Sequence, residues 1–326
     1  MFGRAVLLAA ALFGFADTAS AQAIQVLVPS AGFSAPQDVQ RDSAGNLLVA
    51  DTGNNRIVKI LAVNGSIQNS SSIVTVGNGF LSPQAATFDS ADNVYVADTG
   101  NRVIWRVPFS NGSYGTPVRL APAFEFSSPC GIAVDSHNNV FVADQGAGQV
   151  FEIIASGGYT TVDPIDSGSF QVPGGVALDT ADNLFMDDQG SGTGGFVYEI
   201  PLSGGVYQPA VKLATLFGFG EMQGIAVDAS ENVFVTDYFY NLVDEIVADG
   251  GHMNVIELGS GWNSPIGVAV DPSGNVYVTD NGNNALKEIL LHPGGPVPAL
   301  SGGAMALFAL LLGGTAWWRF RRRAIV

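Results

Sequence analysis

The chain of 326 residues predicts an all-β fold, a six-bladed β-propeller. Three observations predict it. One unit is written six times, its marker aspartates Asp42, Asp89, Asp135, Asp179, Asp228 and Asp271 spaced by 47, 46, 44, 49 and 43 residues. The first strand of each later unit carries small residues on one face. The second strand is apolar on both faces. A repeat of this length with several short strands is the sequence mark of a propeller blade.

The second halves of the six units read NLLVADTGNNRIVKI, NVYVADTGNRVIWRV, NVFVADQGAGQVFEI, NLFMDDQGSGTGGFVYEI, NVFVTDYFYNLVDEI and NVYVTDNGNNALKEI. In the third unit Ile132 and Val134 point to one face of the first strand, Gly131 and Ala133 to the other. Gly175/Ala177, Gly224/Ala226 and Gly267/Ala269 repeat the small face. Small residues suit an innermost strand, where blades converge on an axis. The second strand, as in Val94-Tyr95-Val96-Ala97, reads as buried between two neighbouring blades. An Asp-x-x-x-Asn turn joins the two, with Asn46, Asn93, Asn139, Asn183, Asn232 and Asn275 at its end. Asp caps such turns and Asn tolerates their left-handed backbone. A third strand follows, such as 56–60, and a variable outer strand, such as 73–76. The sixth unit runs out before its outer strand. Residues 24–28 form a strand without a blade, and are expected to close blade six and so remove an exposed sheet edge. Connecting segments leave little room for a seventh blade.

The two ends lie outside this body, which spans 22–292. Residues 1–21 read as a signal peptide: Arg4, an apolar run at 5–15, then Ala19-Ser20-Ala21 before a mature start at Gln22. Residues 293–326 read as a sorting tail. A transmembrane helix is expected at about 299–318, since twenty helical residues rise about 30 Å. Trp317 and Trp318 suit the interface, and Arg319, Arg321, Arg322 and Arg323 act as a cytoplasmic stop.

Two resemblances follow from these residues. The pattern P-x-G-I-A-V-D-x-x-x-N-V-Y-V-A-D-x-x-N-N resembles the NHL repeat across nearly the whole body. The tail, with Val297, Pro298, Ala299, Leu300 and Ser301 before an apolar segment and arginines, resembles the IPTL-CTERM and PEP-CTERM sorting signals of Gram-negative bacteria. Ala299 departs from the usual Thr. The second resemblance implies recognition by a membrane sorting protease or transpeptidase. It places the protein at the cell envelope, on the surface or secreted, with transient or retained anchoring in the inner membrane. NHL relatives include amidating lyases, RNA-binding regulators, sensors and adhesion modules. Gluconolactonase-like and streptogramin-lyase propellers are similar in architecture.

Charge narrows the choice. Without leader and tail the body keeps 8 basic and 28 acidic residues, which sets it against nucleic acid as a partner. The single Cys130 allows no internal disulfide and reads as a small buried hydrophobe. Only three histidines occur, His137, His252 and His292, at unrelated repeat positions, so no ligand set for a zinc lyase is apparent. The recurrent Asp51, Asp98, Asp144, Asp188, Asp237 and Asp280 admit two roles: caps of their own turns, or a ring of carboxylates for Ca²⁺.

Residues that break the repeat are the site candidates. Tyr238, Phe239 and Tyr240 replace the usual turn in blade five and offer a stacking platform, or else pack on a neighbour. Asp187 and Asp188 open an acidic, Gly-rich segment of the composition that takes Ca²⁺, or else a longer solvated loop. Asp38, Gln40 and Arg41 put polar groups on the inner strand of blade one, or else mark a frayed repeat. The expected function is a non-enzymatic binding or scaffold module for a protein or glycan partner. The alternative is a lyase or lactonase dependent on a divalent metal, and no cofactor beyond that Ca²⁺ is expected.

Overall fold

The structure, a computed structural model, describes residues 22–165, 170–190 and 194–291. Six four-stranded antiparallel sheets stand in it as blades. Their inner strands are Pro36–Arg41, Pro83–Phe88, Pro129–Val134, Pro173–Leu178, Met222–Val227 and Pro265–Val270. Each inner strand packs on the inner strand of the next blade, and the sixth packs on the first. The ring is therefore closed around an axis. Among the described residues there is no α-helix, only three short 3₁₀ turns.

The second strands, Leu47–Asp51, Val94–Asp98, Val140–Asp144, Leu184–Asp188, Val233–Asp237 and Val276–Asp280, are buried at every residue. Apolar side chains on both faces meet the two flanking blades. Tyr95, Phe141, Phe185 and Phe234, at one equivalent position, fill the widening space between sheets. The small face of the inner strands explains itself by contact. A Cβ on Gly131 would lie 2.5 Å from the Gly174 carbonyl oxygen of the next blade, and one on Gly267 would lie 2.6 Å from Asp38 Cα. Only glycine lets the strands approach that closely.

The strand Ala23–Leu27 pairs antiparallel with Ala285–Leu290 and completes blade six, as expected. Leu27 and Val28 are buried there, and Gln22 accepts a hydrogen bond from the Gly259 N–H at 2.6 Å. Two short hairpins were not anticipated. Phe109–Ser110 with Ser113–Tyr114, and Leu202–Ser203 with Val206–Tyr207, lie between third and outer strands of blades two and four. The leader, and the tail with residues 297–301, the helix expected at 299–318 and the four arginines, lie outside the described residues.

Candidate functional site

Every pairing of an inner strand with its second strand shifts register just after the first residue. One extra residue sits on the inner strand at that point, a β-bulge, which re-aims its side chain. In blades one, two, three and five the extra residue is Gln37, Gln84, Cys130 and Gln223. All four line a cavity of about 280 Å³ at one mouth of the axial channel. The turn after the recurrent aspartate adds Gln145, Gln189, Tyr238 and Asn281 to the same rim. With Gln40, six glutamines thus line the mouth. Among the described residues, no other protein group hydrogen-bonds the side-chain amides of Gln37, Gln84, Gln145, Gln189 or Gln223. A second cavity of about 230 Å³ shares Gln40, Ile132, Val176 and Ile225 with the first, so the two are halves of one channel.

The repeat-breaking residues of blade one divide along this channel. Asp38 lies in the mouth, Gln40 borders both halves, and Arg41 stands at the far end. Asp38 accepts hydrogen bonds from the Ala86 N–H at 2.9 Å and the Gln40 amide at 3.4 Å. Its side chain is half-buried. Burial still pushes its carboxyl up to about 6, against the lowering effect of those two donors. Cys130 is half-buried and its thiol donates to the carbonyls of Ala143, Pro173 and Gly174; burial, with the nearby Asp187 and Asp144, pushes it up to about 12. A thiol held this high is not a nucleophile at neutral pH.

The recurrent aspartates are occupied by backbone. Asp51 takes the Ser34 N–H at 2.7 Å, Asp98 that of Leu81 at 2.7 Å, and Asp144 those of Ser127 and Ser128 at 2.6 and 2.7 Å. Asp188 takes Gln171 and Val172 at 2.9 and 2.8 Å, Asp237 takes Gly220 at 2.6 Å, and Asp280 takes Asn263 at 2.8 Å. Each carboxylate ties its turn to the loop that enters its own blade.

Asp187 and Asp188 belong to the second strand of blade four rather than to a loop. Neighbours on a strand face opposite sides. Asp187 turns inward and accepts the Gly175 N–H at 2.9 Å, while its other oxygen, Oδ1, is buried without a partner. Burial pushes Asp187 up to about 7. The two carboxylates cannot chelate one ion. Residues 191–193, the rest of that segment, lie outside the described residues.

Tyr238, Phe239 and Tyr240 are all exposed, Phe239 most at 61%. Tyr238 reaches the mouth; Phe239 and Tyr240 line a separate cavity beside it. The structure thus joins Tyr238, Asp38 and Gln40 in one cavity, and leaves Arg41, Asp187 and Asp188 elsewhere. The glutamines escaped sequence reasoning. Their signal was two columns of the aligned repeat, the residue after the leading proline and the residue after the recurrent aspartate.

A family model described as SMP-30/gluconolactonase/LRE-like region matches residues 4–185. The chain belongs to the SMP-30/gluconolactonase/LRE-like family. The NHL repeat model also matches this family member, at residues 263–288. Comparison with curated proteins gives no match by sequence. Among solved structures, this SMP-30/gluconolactonase-like propeller resembles a gluconolactonase from Xanthomonas campestris (11% identity, TM-score 0.65, covering 82% of this chain and 89% of that one). It also resembles a luciferin-regenerating enzyme (13% identity, TM-score 0.62, 84% and 96%). A virginiamycin B lyase from Staphylococcus aureus is similar too (14% identity, TM-score 0.56, 84% and 87%). At these identities the likeness establishes the fold.

Proposed function

We propose that this propeller is an exported binding module that holds a neutral saccharide at its amide-lined mouth. The leader at 1–21 would send it out of the cytoplasm, and the tail would hand it to a sorting protease at the envelope. The observation that carries the reading is the convergence beside Tyr238 of five glutamine amides that, among the described residues, bond no other protein group. A side-chain amide both donates and accepts, as each sugar hydroxyl does. An aromatic ring beside such amides covers the apolar face of a pyranose. Among the described residues no Lys or Arg lines the mouth and Asp38 is its one carboxyl, which disfavours an anionic ligand. Of the two partner classes expected from sequence, a glycan fits this lining better than a protein.

The alternative, metal-dependent lactonase or lyase chemistry, needs several His or carboxylate donors converging on one point. Among the described residues the mouth offers Asp38 alone. Among the described residues no group of three or more His, Cys, Asp or Glu stands together. This donor set does not fit a divalent ion.

A glycan array probed with the mature protein tests the proposal. Neutral glycans should bind, and Gln145→Ala with Gln223→Ala should weaken them by about tenfold to thirtyfold, each lost hydrogen bond costing about 1 kcal/mol. Circular dichroism of the double variant should stay native. No binding to any neutral glycan, or hydrolysis of lactones with a stoichiometric ion in the channel, would remove it.

A further inference from the structure

Beside the mouth, between blades four and five, lies a further cavity. Gln189 lines both the mouth and a second cavity of about 270 Å³. This side cavity runs over Phe219, Gly220, Glu221, Phe239 and Tyr240. Its walls differ in kind from the mouth's. Where the mouth presents amides, the side cavity presents rings. Phe239 and Tyr240 stand edge to face, their centroids 5.1 Å apart, and both are exposed. Phe219 is buried beneath, 4.8 Å from the Phe217 ring.

These exposed rings sit on fixed backbone. The Tyr240 N–H donates to the Asp237 carboxylate at 2.8 Å, and the same carboxylate takes the Gly220 N–H at 2.6 Å. The Tyr238 N–H donates to the Glu221 carbonyl at 2.9 Å. Gly220 leaves no slack, since a Cβ there would lie 2.9 Å from both Phe239 Cβ and Tyr240 Cδ2. Aromatics held rigidly in contact with water present a platform at small entropic cost.

Size and charge define the occupant. Each cavity lies just below the lower end, about 300 Å³, of ordinary small-molecule pockets. Joined at Gln189, they suit a ligand longer than either. Among the described residues no Lys or Arg lines the side cavity, and Glu221 adds a negative charge to its wall.

We infer that the ligand is an elongated neutral oligosaccharide, one end held by the mouth amides and the following sugar rings stacked on Phe239 and Tyr240. This rests on the saccharide reading of the mouth and adds length and direction to it. Tyr238 belongs to the mouth; Phe239 and Tyr240 belong to the extension.

Calorimetric titration of the mature protein with malto-, cello-, manno- and chito-oligosaccharides of increasing length tests the extension. In at least one series affinity should rise about tenfold between the disaccharide and the tetrasaccharide. Phe239→Ala with Tyr240→Ala should abolish that rise and leave the disaccharide within about twofold. Should the double variant unfold, Phe239→Ala alone carries the comparison, because its ring is the most exposed of the three. Binding of short sugars without a gain in length overturns the extension only, as does equal loss of short and long chains in the variant. Failure of every series, or tighter binding of oligogalacturonate or of a peptide library, overturns the mouth reading as well.

Discussion

Asp187 shows how much a single position depends on whether a strand or a loop contains it. In sequence it stands beside Asp188 before a Gly-rich stretch, which looks like a loop able to take a cation. In the fold it is the fourth residue of a strand buried throughout, and the pleat sends it away from Asp188. Blades one to three carry Ala50, Ala97 and Ala143 here, and blades five and six carry Thr236 and Thr279. The hydroxyls of those threonines hydrogen-bond the inner strands at Ile266 and Gly267. Asp187 makes the corresponding bond to Gly175 with a carboxyl. Burial raises that carboxyl from 3.8 to about 7, so the folded protein holds the proton more tightly than the unfolded chain. The stability this contributes is complete below the unfolded value and is lost as pH rises through about 7. Asp187→Asn keeps an acceptor for Gly175 and has no proton to lose. Its stability relative to wild type should therefore grow between pH 4 and pH 7, by on the order of 3 kcal/mol, and then level off. Urea unfolding at several pH values checks this, and parallel profiles for the two proteins would contradict it.

At the scale of the element, periodicity made most strands legible and bulges hid the site. The second strands could be read because burial on both faces keeps their first three residues apolar in every blade. The inner strands could be read because close approach demands glycine at Gly131, Gly224 and Gly267. The mouth could not be read in the same way. Its glutamines come from two places in the repeat, and no blade holds both: Gln37, Gln84 and Gln223 are bulge residues, Gln145 and Gln189 follow the recurrent aspartate. Only ring closure brings them together. The closing strand was legible for the opposite reason, since blade six visibly lacked an outer strand. Removing residues 22–28 should lower stability by at least about 3 kcal/mol, the loss of two buried aliphatic side chains, Leu27 and Val28. It also uncovers the edge of Ala285–Leu290, and an uncovered edge pairs with other chains. Thermal melting and sedimentation of the truncated protein should show both effects. An unchanged melting temperature in a monomer would mean that the strand is an ornament of the ring.

Charge is a property of the whole molecule, and the repeat shows how it is distributed. One third-strand position carries Lys59, Arg106, Glu152, Glu199, Glu245 and Glu288 in successive blades. In blade one Lys59 bridges Asp42 and Asp92 at 3.0 Å each. In blades three to six a glutamate takes that place. Burial raises Glu152, Glu199 and Glu245, and a neighbouring aspartate adds to the rise in each. The later blades are thus acidic, and among the described residues no chelating set gathers on the axis. The six recurrent aspartates accept backbone N–H groups, Asp187 faces Gly175, and Asp38 stands alone in the mouth. A site with a dissociation constant one-hundredth of the ion concentration would stabilise the fold by about 2.7 kcal/mol and raise its melting temperature by about 5–10 °C. Millimolar Ca²⁺ or Zn²⁺ should instead leave the melting temperature within about 2 °C. Prolonged dialysis against EDTA should leave saccharide affinity unchanged. A stoichiometric ion in metal analysis, with a matching rise in melting temperature, would show that donors outside the described residues complete a site that Asp38 cannot make alone.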